Sequence, residues 1–113
     1  MDEVRRDDGE LCGFVALRDG SWVALTLFGG VLGTHDDEGD ARMEVVGVGL
    51  AVLGERWTLV DGESGDEEVV RILEAHPGRA TVEVGYYPEP GAPTRTVTTA
   101  DIESGRWQLG RLR

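Results

Sequence analysis

The stretch that decides the fold is residues 11–28, which read LCGFVALRDGSWVALTLF. Two apolar runs, 11–17 and 21–28, flank the turn Arg18-Asp19-Gly20. An Asp-Gly pair supplies the positive φ angles of a type I′ turn, whose twist matches that of the two strands it joins. Both arms are apolar at nearly every position, which indicates strands that are covered on both faces or closed into a barrel. The sequence therefore predicts a β-hairpin here.

The rest of the chain repeats this pattern of short apolar runs separated by turns. Seventeen of the 113 residues are glycine, and most of them punctuate apolar runs, as in a chain of many strands and tight turns. Further strands are expected at 42–48, 50–53, 57–60, 79–87, 94–99 and 107–112, with a turn at 101–105. We predict an all-β fold, a small antiparallel β-barrel or β-sandwich of about seven to nine short strands, because either arrangement protects strand edges. The length fits a single domain over residues 1–113, with residues 1–9 as a flexible acidic N-terminus.

Residues 66–76 fit two structures. Ser64 followed by Glu67 matches a capping box, which favours a short helix across this segment. The β-branched residues of the segment and the turn signal at Pro77-Gly78 instead favour a strand that pairs with 81–84. We favour the strand, since the neighbouring segments are β, and keep the helix as the alternative.

The charge of the chain is strongly negative and unevenly distributed. Acidic residues outnumber basic ones 22 to 11, for a net charge of -11. Such a surface repels phosphate backbones and anionic lipids, so nucleic-acid and membrane partners are not expected. Every basic residue is arginine, a bias typical of a GC-rich bacterial genome, and such background explains part of the acidity. Residues 1–68 contain 17 acidic residues and five arginines, whereas residues 69–113 contain five and six. This asymmetry indicates one surface that meets a cationic partner.

The candidate partner-binding residues are the carboxylates of two polar segments. They are Asp36, Asp37, Glu38, Asp40, Glu63, Asp66, Glu67 and Glu68. Consecutive carboxylates point in different directions, and their spacing does not match a calcium-binding loop. With two histidines and one cysteine, the chain also lacks the ligands of a zinc site. The sequence therefore predicts neither a metal nor a cofactor.

The candidate ligand-pocket residues are four aromatic side chains near strand ends. They are Trp22, Trp57, Tyr86 and Trp107. Large aromatic residues most often fill the core of a small β domain. The alternative is that some of them line a cavity or an exposed groove for a sugar or a small apolar ligand.

These features predict a non-enzymatic binding protein that docks on a basic protein partner, in the manner of an immunity protein, an antitoxin or a regulator. The alternative function is a small-molecule-binding β-barrel, either a carrier or a cofactor-free isomerase or cyclase, since such sites leave almost no sequence signature. A purely structural or homo-oligomeric domain is the third reading. No serine occupies a nucleophile elbow, and the sequence assembles no other catalytic set. The N-terminus has no secretory signal and the apolar segment 45–53 is too short to span a bilayer, so a cytoplasmic location is expected.

Overall fold

The computed structural model describes residues 1–112, and these residues form a mainly β structure. The strands are β1 (Asp2–Arg5), β2 (Leu11–Arg18), β3 (Ser21–Leu25), β4 (Val31–His35), β5 (Arg56–Asp61), β6 (Glu67–His76), β7 (Arg79–Val84), β8 (Thr94–Thr98) and β9 (Trp107–Arg111). The helices are α1 (Glu38–Val48) and α2 (Thr99–Ser104), and a 3₁₀ turn covers Ala51–Gly54. The prediction of a mainly β chain is therefore confirmed.

The strands form two antiparallel sheets. The first has the order β1-β2-β3-β4, and the second has the order β8-β7-β6-β5-β9. Each sheet keeps two edge strands, so the strands described here do not close into a barrel.

The hairpin predicted from residues 11–28 is confirmed. Arg18 of β2 pairs with Ser21 of β3, which leaves Asp19 and Gly20 as the two turn residues. Their φ angles are 50° and 80°, as a type I′ turn requires. The Asp-Gly pair thus sets the register of the two central strands of the first sheet.

Residues 42–48, predicted as a strand, instead form most of helix α1. The Asp37 carboxylate caps the helix by accepting a hydrogen bond from the Asp40 backbone N–H at 3.2 Å. Ala41 and Val45 are four positions apart and both fully buried, which gives the helix an inner face. The adjacent valines of this segment suggested a strand, but the cap and the burial of one face stabilise a helix.

Two smaller predictions are also wrong, and one alternative is resolved. The segment predicted as a strand at 50–53 lies in and beside the 3₁₀ turn, and the turn predicted at 101–105 is mostly helix α2. Thr98 and Asp101 form a capping box that starts α2. Residues 67–76 form β6, paired with β5 and β7, so the prediction of a strand in the segment 66–76 is confirmed and the helix alternative is wrong. Part of the segment expected to be flexible, residues 2–5, forms β1 and pairs with β2.

Both sheets, α1 and the 3₁₀ turn contribute to one hydrophobic cluster. Phe28, in the loop after β3, packs edge-on against Trp57 of β5 with ring centroids 5.5 Å apart. Trp57 is fully buried, and its indole N–H donates to the Val52 carbonyl of the 3₁₀ turn at 3.0 Å. The indole therefore adds apolar area to the core without leaving a polar atom unpaired.

Two glycines near α1 differ sharply in what surrounds them. A Cβ at Gly13 of β2 would lie 2.1 Å from the Leu25 carbonyl oxygen and 2.9 Å from Cγ1 of Val45. A Cβ at Gly47, in the last turn of α1, would have no neighbour within 4 Å. Gly13 is thus required first by the neighbouring β3 backbone and then by Val45 of α1, whereas packing among residues 1–112 does not require Gly47.

We expect opposite effects of alanine at these two positions. Gly47→Ala should raise the free energy of unfolding by about 1 kcal/mol, because alanine favours a helix over glycine. Gly13→Ala should lower it by about 1–3 kcal/mol or more, because the methyl group has no room. Urea unfolding followed by circular dichroism measures both changes. A loss of stability in Gly47→Ala would contradict the open surroundings of Gly47.

Candidate functional site

The first predicted acidic group lies at the junction of β4 and α1. Asp36, Asp37 and Asp40 are exposed, and Glu38 is half-buried and accepts a hydrogen bond from Arg42 Nε at 3.3 Å. Within residues 1–112, the three aspartates have no cationic partner. Asp37 also has a structural role as the N-cap, and carboxylates in the first turn interact favourably with the helix dipole.

A partly buried polar pair fixes the position of this junction. His35, the last residue of β4, lies 2.8 Å from the Glu44 carboxylate of α1, measured from Nε2 to Oε1. His35 also pairs with Trp22 across β3 and β4. Because the pair connects the strand to the middle of the helix, it holds the acidic end of α1 close to the edge of the first sheet.

The second predicted acidic group surrounds the β5–β6 connection. Asp66 and Glu67 are exposed and Glu68 is half-buried, and none of the three has an ion pair in the part of the chain that the structure describes. Glu63 is exposed, and its carboxylate is 4.0 Å from Arg106 Nε. This group belongs to the second sheet, whereas α1 packs on the first, so the eight predicted carboxylates form two separate segments.

Asp61 organises the turn that presents the second group. Its carboxylate accepts hydrogen bonds from the backbone N–H of Glu63 at 2.8 Å and of Ser64 at 3.3 Å. Arg106 Nη1 donates to the same carboxylate oxygen at 3.0 Å. The backbone bond from Glu63 is the largest cause of a lowered Asp61 pKa, with smaller contributions from Ser64 and Arg106.

Most arginine ion pairs lie away from the predicted acidic residues. Arg5, Arg6, Arg71 and Arg111 pair with other carboxylates on the surface. In the predicted groups, only Glu38 and Glu63 lie within ion-pair distance of an arginine among residues 1–112. The negative charge of Asp36, Asp40, Asp66 and Glu67 is therefore available to a partner.

The four predicted pocket residues occupy four different environments. Trp57 is in the core, and Trp22 is half-buried on the first sheet beside His35. Trp107 is half-buried, with the Arg106 guanidinium 4.4 Å from its ring centroid. Tyr86 is exposed and packs edge-on against the exposed Tyr87 at 4.8 Å, and Arg56 lies 5.4 Å from the Tyr86 ring.

Two surface features follow from tertiary structure and were not predicted. A groove of about 740 Å³ separates the edge strands β4 and β9, and it is lined by Val31, Leu32, Gly33, Thr34, Gly110, Arg111 and Leu112. The outer face of α1 carries the exposed apolar side chains of Met43 and Val46. The spacing of residues 39–47 after an aspartate cap is typical of a helix, and it could have predicted this second surface. The prediction of a strand at 42–48 was wrong, and the surface was therefore missed.

Comparison with protein-family models, curated proteins and solved structures finds no match to this chain. In residues 1–112, no helix has the length and apolar character needed to cross a membrane. The same residues contain no cluster of three or more His, Cys, Asp or Glu side chains arranged to hold a metal ion. The geometry and charges of the surface are therefore the features that bear on function.

We expect the two neighbouring aspartates at the start of α1 to differ in their effect on stability. Asp37→Ala should lower the free energy of unfolding by about 1 kcal/mol, because the helix loses its cap, and Asp37→Asn should cost less. Asp36→Ala, which removes no cap, should change stability by no more than about 0.5 kcal/mol. Urea unfolding of the three variants measures these differences. Equal losses for Asp36→Ala and Asp37→Ala would contradict the capping role.

The Asp61 carboxyl should titrate below its ordinary pKa of 3.8. Arg106→Gln should return the pKa only part of the way, because the larger backbone contribution remains. Carbon-detected NMR titration measures both values. A complete return in Arg106→Gln would show that the ion pair is the main cause.

The same shift has a consequence for acid stability. A lowered folded-state pKa adds stability above the unfolded-state pKa, and this stability is lost as the pH falls through the folded-state value. The difference in stability between wild type and Asp61→Asn should therefore be largest near neutral pH and shrink at acidic pH below 3.8.

Proposed function

We propose that this chain is a non-enzymatic binding protein that docks on a basic protein partner in the cytoplasm, in the manner of an immunity protein, an antitoxin or a regulator. The supporting observation is a set of exposed carboxylates that have no ion pair among residues 1–112: Asp36, Asp40, Asp66 and Glu67. Opposite charges on two proteins accelerate their association and discriminate against wrong partners.

The arrangement of charges within the chain supports this proposal. Asp37 caps α1 and Glu38 pairs with Arg42, so both have roles within the fold. Asp36 has no such role, and the adjacent acidic residues Asp66 and Glu67 repel each other. A cationic partner would relieve this repulsion, which gives a net gain on binding.

The alternative, a small-molecule carrier or a cofactor-free isomerase or cyclase, needs an enclosed cavity with aromatic walls. Trp57 is buried in the core and Tyr86 lies on the surface, so these two side chains do not supply such walls. We therefore advance the protein-binding function alone.

The proposal predicts salt-dependent binding that depends on defined carboxylates. Immobilised wild-type protein should retain basic proteins from a lysate of the source organism at low salt and release them at high salt, because salt screens surface charges. A variant with Asp36→Asn, Asp40→Asn, Asp66→Asn and Glu67→Gln should bind about tenfold more weakly to the retained protein once it is purified. Mass spectrometry identifies the protein, and surface plasmon resonance measures the affinity.

A matched variant distinguishes the effect of these four carboxylates on binding from the effect of the net charge. Asp2→Asn, Asp19→Asn, Glu89→Gln and Glu103→Gln remove the same number of exposed negative charges elsewhere on the surface. This control should bind like wild type. Equal weakening by the two variants would show that only net charge matters, and salt-independent retention would show that the acidic groups do not carry the interaction.

A further inference from the structure

The solvent face of α1 is apolar as well as acidic. Met43 is 72% exposed and Val46 is 45% exposed, whereas Ala41 and Val45 on the opposite face are fully buried. A surface helix ordinarily carries polar residues on its outer face, since the inner face alone packs on the core. Methionine is flexible and polarizable, and it is frequent at surfaces that bind other proteins. The outer face of α1 thus has the composition of a contact surface.

The shape of this face fits a second helix. Met43 and Gly47 are spaced four residues apart and lie in one row along the helix, so the protruding Met43 side chain lies next to a gap at Gly47. Helices that pack together insert the side chains of one row into the gaps of the other, and small residues allow close approach. Glycine in a helix costs stability, and no atom of residues 1–112 lies close enough to the Cβ position at Gly47 to account for it. A neighbouring molecule that approaches the backbone at Gly47 would account for it.

Two shallow depressions border the exposed Val46 side chain. One, of about 340 Å³, is lined by Arg42, Met43, Val46 and Gly47. The other, of about 380 Å³, is lined by Val46 and by Arg5, Arg6, Asp7 and Asp8 of the β1–β2 connection. Apolar side chains of a partner would fit on either side of Val46.

The charges around this face define the chemistry of the partner. Arg42 is paired with Glu38, Arg5 with Glu3, and Arg6 with Asp8 and Glu10, so the nearby arginines are neutralised. Within residues 1–112, Asp7 at one end of the face and Asp36 and Asp40 at the other have no ion pair. The rim of the apolar face is therefore negative, and it complements a segment with apolar residues flanked by lysine or arginine.

We propose that the outer face of α1, formed by Gly39, Asp40, Met43, Val46 and Gly47, is the docking surface for a basic amphipathic helix of a partner protein. This inference rests on the proposed function and specifies where the acidic protein meets its partner. Met43 and Val46 contact the apolar stripe of the partner helix, and the surrounding aspartates contact its flanking basic residues. The gap at Gly47 receives one of its side chains.

Three synthetic peptides test this proposal. The first is a capped helical peptide with a leucine stripe flanked by arginines; the second replaces the leucines by serine, and the third replaces the arginines by glutamine. Fluorescence anisotropy at low salt should show that the first binds at least about tenfold more tightly than either of the others, because both the apolar and the charged contacts are needed. In ¹⁵N NMR spectra, its binding should shift the signals of residues 39–47 and 7–8.

Variants of the protein distinguish binding at the proposed surface from non-specific hydrophobic binding. Met43→Gln and Gly47→Gln each place a helix-favouring residue in α1, and each should weaken binding of the first peptide about tenfold. The control is Leu73→Gln on β6, which removes another exposed apolar side chain, 41% exposed, and should leave the affinity unchanged. Circular dichroism and thermal unfolding confirm that each variant is folded.

The outcomes distinguish this inference from the proposed function. If the first two peptides bind equally and Met43→Gln has no effect, the docking surface is wrong while a charge-driven interaction is retained. If the NMR shifts lie outside α1 and the β1–β2 connection, the surface is elsewhere and the inference is overturned. If the peptides do not bind and no basic protein is retained from the lysate, both proposals fail together.

Discussion

The close approach of α1 to the backbone of β2 determines which side of the helix reaches solvent. At Gly13, a side chain of any kind would collide with the Leu25 carbonyl and with Val45. Gly49, just after the helix, is also tightly enclosed, because its Cβ would lie 2.5 Å from the Val45 carbonyl oxygen and 2.7 Å from the Cys12 carbonyl oxygen. The helix therefore lies directly on the sheet with Val45 facing inward. Given the 3.6-residue period, Met43, Val46 and Gly47 are then turned outward, so the exposed apolar face is a consequence of how the helix is packed.

The loop between β3 and β4 joins the first sheet to the second. Phe28 enters the core beside Trp57, and its carbonyl accepts a hydrogen bond from the Thr99 hydroxyl at 2.9 Å. The Leu27 carbonyl accepts from the Gly78 backbone N–H at 3.0 Å, in the turn between β6 and β7. These contacts connect a loop of the first sheet to three elements of the second. They also hold β4, and through His35 the start of α1, in a fixed relation to the rest of the core.

The sequence predicts those parts of the fold that local chemistry determines. The type I′ turn at Asp19-Gly20 needs only its own two residues, and the strands around Trp57 and Val82 carry enough apolar and β-branched residues to be recognised. Helix α1 could not be separated from a strand in the same way, because its valines favour β structure and the apolar Met43 and Val46 interrupt the polar residues of its outer face. The helix is favoured by the burial of Ala41 and Val45 against β2, which is a tertiary contact.

The candidate partner-binding carboxylates could be predicted because charge is visible in a sequence. Their division between two sheets, and the apolar surface beside one group, depend on topology.

Two features of α1 are unfavourable for the isolated chain. Gly47 weakens the helix, and Met43 exposes apolar area to water. A helix optimised for stability alone would carry alanine or a charged residue at these two positions. Departures from local rules that occur together on one face usually mark a site where binding, and not folding, sets the requirement. The remainder of the helix follows those rules, with a capping aspartate, buried alanine and valine on the inner face, and the Glu38–Arg42 pair beside them. The contrast within a single 11-residue helix supports the proposal that its inner face packs on the core and its outer face binds a partner.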